Sequence, residues 1–401
     1  MLDRRELINL DEPSDNIMEL NLGPQHPSTH GVLRLKLRLD GEVVISCDPV
    51  IGYLHTGVEK ECETRTFLQM FTLISRLDYL SGPSEEHAFA QTVEQLMDVQ
   101  VPERAQVIRV MLLELSRLSS HLLWVGTSAL ELNMSSVFMY AFVEREKILD
   151  LIESYSGARM FPNCWRIGGL NRDLPDSFIP DARKFLKEFP KAIKDLDNLL
   201  TENYVWCERL KGVGVIDKKI AEEYMCTGPL IRGAGVAYDI RKAYPYTGYE
   251  NYSFDIPTYP EGDSYARYMV RMQEMRESTS IIEQALNKLR PGPVIVDNRK
   301  VALPPRKDLA RSMEAVIHQF KLVSEGIHPP KGELYTCVES ARGELGYYVE
   351  TDGSNRPYRV RVRSPSFAHV QVLKKILPGL IISDVVVAIA SVDPIMGDVD
   401  R

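Results

Sequence analysis

Two histidines four residues apart, His26 and His30, lie in a segment at 22–31 that contains prolines and ends in glycine. An imidazole has an ordinary pKa of about 6.5, so it can donate, accept and regain a proton near neutral pH. Histidines in loops of this composition are also common turn residues, and the spacing alone does not separate the two roles. His26 and His30 are therefore candidates for hydrogen bonding to a substrate or for proton transfer, with a turn as the alternative.

A second polar group is predicted at 76–87, where one helix ends near Tyr79, a Gly-Pro turn follows and another helix begins. At such a junction Asp78, Tyr79 and Ser81 could line a cleft. A tyrosine with a pKa near 10 stays protonated and donates a directional hydrogen bond. The alternative is that Tyr79 belongs to the core and that its hydroxyl is satisfied within the protein.

The elements around these candidates follow from hydrophobic periodicity. Alternating leucines and cations at 33–39, a turn at Asp40-Gly41 and a return at 43–45 predict a hairpin with one buried face. Apolar residues at helical spacing predict a bundle after it. The predicted helices run from Pro102 past 122 and over 135–156, 180–200 and 264–289, and the last part holds strands at 334–338, 346–351 and 358–363 and helices at 368–377 and 383–390.

Other charged segments have simpler interpretations. The very apolar helix before 391–401 indicates that this chain end is tucked in. Alternating arginines at 359–363 predict a strand face turned to solvent or to a partner. Solvated helix faces are predicted for four glutamates: Glu85, Glu86, Glu144 and Glu146.

Composition excludes several classes of protein. The chain has 401 residues, a net charge of −8 and a sequence pI of about 5.6, which argues against nucleic acid as the main partner. Its six cysteines are scattered without zinc-like spacing, as in reduced, mostly buried thiols. The glycine pairs at 212–214 and 233–235 lack a third glycine, so nucleotide loops are not expected. No signal peptide or membrane-spanning run is predicted.

Seven long motifs resemble one family, the D subunit of the NADH-quinone oxidoreductase that is respiratory complex I. The resemblance covers the chain after residue 18. The motifs are G-P-Q-H-P-S-T-H-G-V-L-R-L at 23–35, G-Y-L-H-T-G-V-E-K at 52–60, R-L-D-Y-L-S at 76–81, R-I-G-G at 166–169, R-K-A-Y-P-Y-T-G-Y at 241–249, E-S-A-R-G-E-L-G-Y-Y at 339–348 and D-P-I-M-G-D-V-D-R at 393–401.

The resemblance implies an α+β, mainly helical fold on the scaffold of the nickel–iron hydrogenase large subunit. It implies a polar N-terminal extension at 1–18, a β-hairpin region with the quinone-site loop at 19–60, a helical bundle at 61–290 and a C-terminal α+β region at 291–401. The last region is expected to pack back on the N-terminal part.

The same relationship implies that the metal site has been lost. Hydrogenases carry cysteines where this chain has four other residues, namely Asp78, Ser81, Ile395 and Asp398. A nickel site of this kind needs soft sulfur ligands, so no nickel is expected. The vacated cavity is then expected to be the quinone site.

Residue roles are carried over from the family. His30 and Tyr79 are the expected partners of the quinone head group and the expected catalytic residues. The cleft is expected to be lined by His26, Asp78, Ser81 and Glu131. The residues expected near the terminal iron–sulfur cluster, which a neighbouring subunit holds because this chain offers no cluster ligands, are Thr56, Arg76, Arg159 and Phe161.

The implied activity is that of a proton-translocating enzyme that works only as a multisubunit complex. Its implied partners are the iron–sulfur subunit, other peripheral-arm and membrane-arm subunits and a quinone, and the implied location is the cytoplasmic face of the cell inner membrane. Glu131, Phe161 and Thr56 depart from the usual family residues. The alternatives are a divergent paralogue fed by ferredoxin or another donor, a non-catalytic scaffold subunit, and a nickel hydrogenase as the weakest.

Overall fold

The predicted hairpin is present and has one more strand. The computed structural model describes residues 17–27 and 30–401, so most of the predicted N-terminal extension lies outside the described residues. Three antiparallel strands form the first sheet, with β2 in the middle. Leu35, Leu37 and Leu39 are buried, as their alternation predicts. The strands are β1 (Ile17–Leu22), β2 (Arg34–Asp40) and β3 (Val43–Val50).

The helical bundle forms where the periodicity predicts it. After α1 (Val58–Cys62) and α2 (Phe67–Ile74), the chain forms α3 (Gly82–Leu96), α4 (Glu103–Glu131), α5 (Ser135–Ser156), β4 (Trp165–Arg166), β5 (Gly169–Leu170), α6 (Phe178–Leu200), α7 (Tyr204–Leu210), α8 (Lys218–Glu223), α9 (Pro229–Gly233), α10 (Ile240–Ala243) and α11 (Ser264–Lys288). The helix α4 packs against α3, α5 and α11, and most of its side chains are buried. Asp263 caps α11 by accepting from the Ala266 N–H at 2.7 Å.

The start of α3 differs from the prediction. Gly82 and Pro83 form its first turn and not a turn before it. Proline is tolerated there because its missing N–H has no helical partner in any case. The prediction that Glu85 and Glu86 face solvent is wrong, since neither side chain has measurable exposure. The cause is tertiary: α3 also contacts the C-terminal strands, so no face of its first turns is left for water.

The C-terminal part has the expected strands and helices in a second antiparallel sheet. It contains α12 (Arg306–Leu309), α13 (Met313–Ser324), β6 (Gly332–Ser340), β7 (Gly343–Thr351), β8 (Arg359–Arg363), α14 (Pro365–Ile376), α15 (Ile382–Val392) and α16 (Met396–Asp400). The order of the strands is β6-β7-β8. Two of the alternating arginines pair with acidic residues in and just after α1: Arg359 with Glu63 at 3.2 Å and Arg361 with Glu59 at 2.7 Å.

The chain end is buried against α14 and the loop after β3, which confirms the tucked C-terminus. The carboxylate of Asp400 accepts from the N–H groups of Gly52 at 2.8 Å and Leu54 at 2.7 Å. Its carbonyl oxygen lies 2.6 Å from Nδ1 of His55. A mainly helical α+β fold is therefore confirmed, while the four segment boundaries stay a prediction. Within the described ranges, no helix has the length and apolar character needed to cross a bilayer.

Candidate functional site

The turn between α2 and α3 is held by a buried carboxylate. Oδ1 of Asp78 accepts from the N–H groups of Leu80 and Ser81, each at 3.1 Å. Its other oxygen, Oδ2, accepts from Nη1 of Arg342 at 2.8 Å. Asp78 is only 3% exposed. This carboxylate therefore fixes the backbone around Tyr79 and ties it to a distant part of the chain.

Arg342 is the centre of the site. It lies in the turn between β6 and β7 and is 1% exposed, and its Nε is 3.4 Å from Oδ2 of Asp393. Burial lowers the pKa of this guanidinium, but Asp393, Asp78 and Asp398 together raise it above the usual value. Arg342 consequently stays cationic inside the protein.

Tyr79 is positioned by the chain end. A Cβ on Gly397 would lie 2.5 Å from the Leu77 carbonyl oxygen and 3.4 Å from Cδ1 of Tyr79, so the start of α16 approaches the turn as closely as glycine allows. Burial raises the pKa of the Tyr79 hydroxyl, and the charges of Asp78 and Asp393 raise it further, against Arg342. The hydroxyl therefore keeps its proton.

The histidine loop brings His30 to the end of α4. Nε2 of His30 lies 3.6 Å from Oε1 of Glu131, and both side chains are 14% exposed. Burial lowers the pKa of His30, and burial raises the pKa of Glu131 to about 8. Near pH 7 the pair is a neutral imidazole beside a neutral carboxyl, although its geometry is that of an ion pair.

His30 and Tyr79 face the same charges. Asp393 and Arg342 are the two charged groups that act on the pKa of His30, and both also act on the pKa of Tyr79. The loop and the turn after α2 thus both lie within electrostatic range of the buried Arg342–Asp393 pair. This arrangement can offer two neutral hydrogen-bond donors beside a buried guanidinium that Asp78 and Asp393 hold in place.

Other predicted lining residues lie elsewhere. Ser81 is fully buried, and its hydroxyl is bonded to those of Ser84 at 2.8 Å and Ser116 at 3.2 Å, inside the α3–α4 junction. His26 is exposed. Ser81 is therefore part of the packing between α3 and α4, and His26 lies on the surface of its loop.

The residues expected near a neighbouring cluster fall into separate groups. The guanidinium of Arg76 stacks on Phe161 at 4.9 Å from the ring centroid. Arg159 pairs with acidic side chains of α5, among them Asp150 at 3.1 Å. Thr56 is exposed in the loop that Asp400 anchors, and no hydrogen bond of the described residues joins it to the others. Arg76 and Phe161 form a unit, whereas Thr56 does not join it.

Comparison with known proteins identifies the family. Residues 131–401 match the model of the 49-kDa subunit of respiratory-chain NADH dehydrogenase. The chain is 72% identical over 390 residues to the D subunit of NADH-quinone oxidoreductase from Protochlamydia amoebophila, with 97% of each chain covered. It belongs to the D-subunit family of NADH-quinone oxidoreductase.

Two other relatives agree. The D subunit of the Thermus thermophilus enzyme is 52% identical over 403 residues, which cover 99% of this chain and 98% of the relative. The D subunit of the Geotalea uraniireducens enzyme is 48% identical over 388 residues, covering 97% and 100%. The predicted resemblance is confirmed. This family member is a subunit of an oxidoreductase complex, and its partners are other subunits of that complex.

Sequence patterns do not reveal the residues that hold this subunit's site together. Arg342 and Asp393 lie in two of the family motifs, but only the fold brings them to Asp78 and gives them a role. Glu85, predicted to face solvent, accepts at Oε2 from the Tyr347 hydroxyl at 2.5 Å. Burial and the charge of Asp398 raise the pKa of Glu85 well above its usual range.

The space beside Tyr79 is small in this chain alone. The cavity that Tyr79 lines with Pro83, Arg145 and Met160 measures about 10 Å³, whereas ligand sites usually enclose about 300–1,000 Å³. A much larger groove, of about 590 Å³, lies elsewhere, between α3 and β6. A ligand site at a subunit interface is lined by both subunits. The small volume in this chain alone therefore does not exclude such a site beside Tyr79. Among the described residues, no three His, Cys, Asp or Glu side chains are placed to hold a metal ion.

Proposed function

We propose that this subunit forms the quinone head-group site of its complex, where electrons arrive from an iron–sulfur cluster in a neighbouring subunit. The observation that supports this proposal is the position of His30 and Tyr79 around the buried Arg342–Asp393 pair. The small cavity beside Tyr79 fits a site whose remaining wall belongs to that neighbour.

Quinone reduction requires hydrogen-bond donors that remain protonated until the quinone is reduced. Reduction of a quinone takes two electrons and two protons, and negative charge develops on the carbonyl oxygens. Tyr79, whose pKa is raised, donates a hydrogen bond to one oxygen, and the neutral imidazole of His30 donates to the other. Arg342 stabilises the developing charge from a fixed position without any reorganisation.

A proton for His30 is available at the end of α4. Glu131 is protonated at neutral pH and lies 3.6 Å from Nε2 of His30. In our proposal His30 gives the proton on Nδ1 to one quinone oxygen and takes a proton at Nε2 from Glu131, while the Tyr79 hydroxyl gives the second proton to the other oxygen and is reprotonated from solvent. The carboxylate left on Glu131 then regains its proton from water.

The same proposal covers the wider complex. We infer a proton-translocating NADH-quinone oxidoreductase of the respiratory chain, at the cytoplasmic face of the cell inner membrane, with this subunit attached peripherally between the iron–sulfur subunit and the membrane arm. The names of the relatives support NADH as the donor. Phe161 and Thr56, which depart from the usual family residues, favour the second candidate, a paralogue fed by another donor such as ferredoxin. Genomic neighbours without NADH- and flavin-binding subunits would support that candidate.

Tyr79→Phe in the assembled complex tests the proposed site. We expect reduction of a short-chain quinone to fall by about 10²-fold, as is typical when one preorganised donor is removed. Electron transfer to an artificial acceptor that bypasses the quinone site should be unchanged. Tyr358→Phe, at a side chain that is 64% exposed, is the matched control. Unchanged quinone reduction in the Tyr79 variant would make that tyrosine a core residue and remove it from the site.

A further inference from the structure

A large groove in the described part of the chain shares no lining residue with the cavity beside Tyr79. It encloses about 590 Å³ between α3, the start of α4, the segment 244–247 and β6. A second cavity of about 300 Å³ adjoins it, since Gln106 and Thr247 line both. The groove has a polar lining that includes four glutamine side chains: Gln91, Gln95, Gln100 and Gln106.

One wall of this groove is a strand with a free edge. Among the described residues β7 is the only strand paired with β6, and Tyr335, Thr336 and Cys337 line the groove. Farther along β6, the N–H of Glu339 donates to the Tyr246 hydroxyl at 3.0 Å, so its backbone groups point away from β7.

Other backbone N–H and C=O groups of β6 point in the same direction as those of Glu339. Backbone groups of every second residue point the same way, which turns those of Cys337 and Tyr335 toward the groove. Among the described residues, no hydrogen bond reaches the N–H or C=O of either residue from across this edge. A row of main-chain donors and acceptors is thus presented to the groove at the spacing of an extended chain.

We propose that an extended segment of a neighbouring subunit of the complex binds in this groove and adds to β6 as a fourth strand. Strand addition of this kind uses main-chain hydrogen bonds for affinity and side-chain pockets for specificity. The family supplies the kind of occupant, because this chain works among other subunits. The proposal is independent of the quinone site.

Charge specifies the segment further. Asp98 is exposed at the rim of the groove, and no cation of the described residues lies within salt-bridge distance of it. The other acid of the groove, Glu94, is already neutralised by Arg109 at 2.7 Å. Lys288 and Arg290 line the adjoining cavity together with Glu103, so its charges are mixed. The segment should therefore carry a cation opposite Asp98.

Hydrogen exchange on the intact complex tests the strand addition. The N–H groups of Tyr335 and Cys337 should exchange within about tenfold of the rates at Thr336 and Val338, which bond to β7. An edge that is open to water would exchange at least about 100-fold faster at Tyr335 and Cys337 than at their neighbours. That outcome would overturn the proposal.

Photo-cross-linking identifies the occupant. A photoreactive amino acid at Gln100, an exposed residue of the rim, should cross-link to an extended segment of another subunit, and the product is sequenced by mass spectrometry. The same probe at Tyr358 is the control for a surface outside the groove. Cross-links to a second copy of this chain, to its own residues or to lipid, or none at all, would overturn the proposal.

Asp98→Asn tests the charge match without a large change in shape. Asparagine tolerates the left-handed backbone at this position, where φ is 51°. We expect the cross-linking yield from Gln100 to fall several-fold in this variant, and Asp176→Asn, at another exposed aspartate, to leave it unchanged. An unchanged yield with Asp98→Asn would contradict a segment selected by charge.

Discussion

At the scale of single residues, the site depends on which carboxyl groups carry charge. Asp78 and Asp393 serve a buried cation, whereas burial raises the pKa of Glu131 to about 8. Identical side-chain chemistry thus gives fixed charge in one place and a bound proton in another. The resemblance to the family places Glu131 in the same expected cleft as His30, but the protonation state of Glu131 depends on packing that only the fold supplies.

Glu131→Gln should change the pH dependence of quinone reduction. A carboxyl whose folded pKa is raised binds its proton between its unfolded pKa and about pH 8, and above that pH the proton is lost. The wild-type rate should therefore fall as the pH rises through about 8, while the variant should be slower and nearly flat there. The measurement is quinone reduction by the complex from pH 6 to 9.

Ionisation of Glu131 should also make the stability of the folded subunit depend on pH. Burial makes ionisation of Glu131 less favourable in the folded state than in the unfolded state. The protonated Glu131 therefore contributes most to stability at low pH, and this contribution is lost as the pH rises through about 8. The glutamine variant would lack this dependence. Identical pH profiles of the two complexes would contradict a proton held at Glu131.

Asp78→Asn should destabilise the subunit strongly. The variant leaves the buried guanidinium of Arg342 without its closest carboxylate, and breaking a buried pair costs about 3–5 kcal/mol. Thermal unfolding of this chain in the purified complex, monitored by limited proteolysis, should begin at a lower temperature in the variant. Asp176→Asn, on the surface, should have no effect. An unshifted midpoint for the Asp78 variant would show that Asp393 alone suffices.

At the scale of elements, periodicity predicts long helices better than burial. The bounds of α5 and α11 follow from apolar spacing and caps that are local in sequence. β1 escapes prediction, since its pairing with β2 is a tertiary event. The prediction for Glu85 fails for the same reason: α3 is covered by strands from the other end of the chain. Local patterns carry no information on such distant contacts.

Gly397→Ala tests how α16 positions the site. The added Cβ would lie 2.5 Å from the Leu77 carbonyl oxygen, so the turn that carries Tyr79 must move. We expect quinone reduction to fall at least about tenfold while transfer to the bypass acceptor is retained, as misplacement of a catalytic group predicts. Gly292→Ala, whose Cβ would meet its nearest atom at 3.6 Å, is the control. Full quinone activity with Gly397→Ala would separate α16 from the site.

At the scale of the whole molecule, two helices expose several large apolar side chains. Met139, Tyr140 and Val143 are each more than half exposed on α5, and Met313 and Phe320 are 76% and 70% exposed on α13. Patches of this kind mark contacts with partners. They agree with a subunit that packs against its neighbours.

The pH dependence of a redox potential can report across such a subunit boundary. Arg76 stacks on Phe161, an aromatic ring without a titratable group, in the region expected to face the cluster of the neighbouring subunit. Phe161 cannot take up a proton when the cluster is reduced. We therefore expect the midpoint potential of the cluster to change little between pH 6 and 8. Phe161→His should introduce a dependence in which the potential falls as the pH rises.

Redox titration of the complex, monitored by electron paramagnetic resonance, measures both slopes. Arg76 is present in both complexes, so a difference in slope between them reports the residue at 161. A steep slope in the wild-type complex would mean that another group near the cluster takes up the proton. A flat slope in both complexes would place Phe161 too far from the cluster to sense its charge.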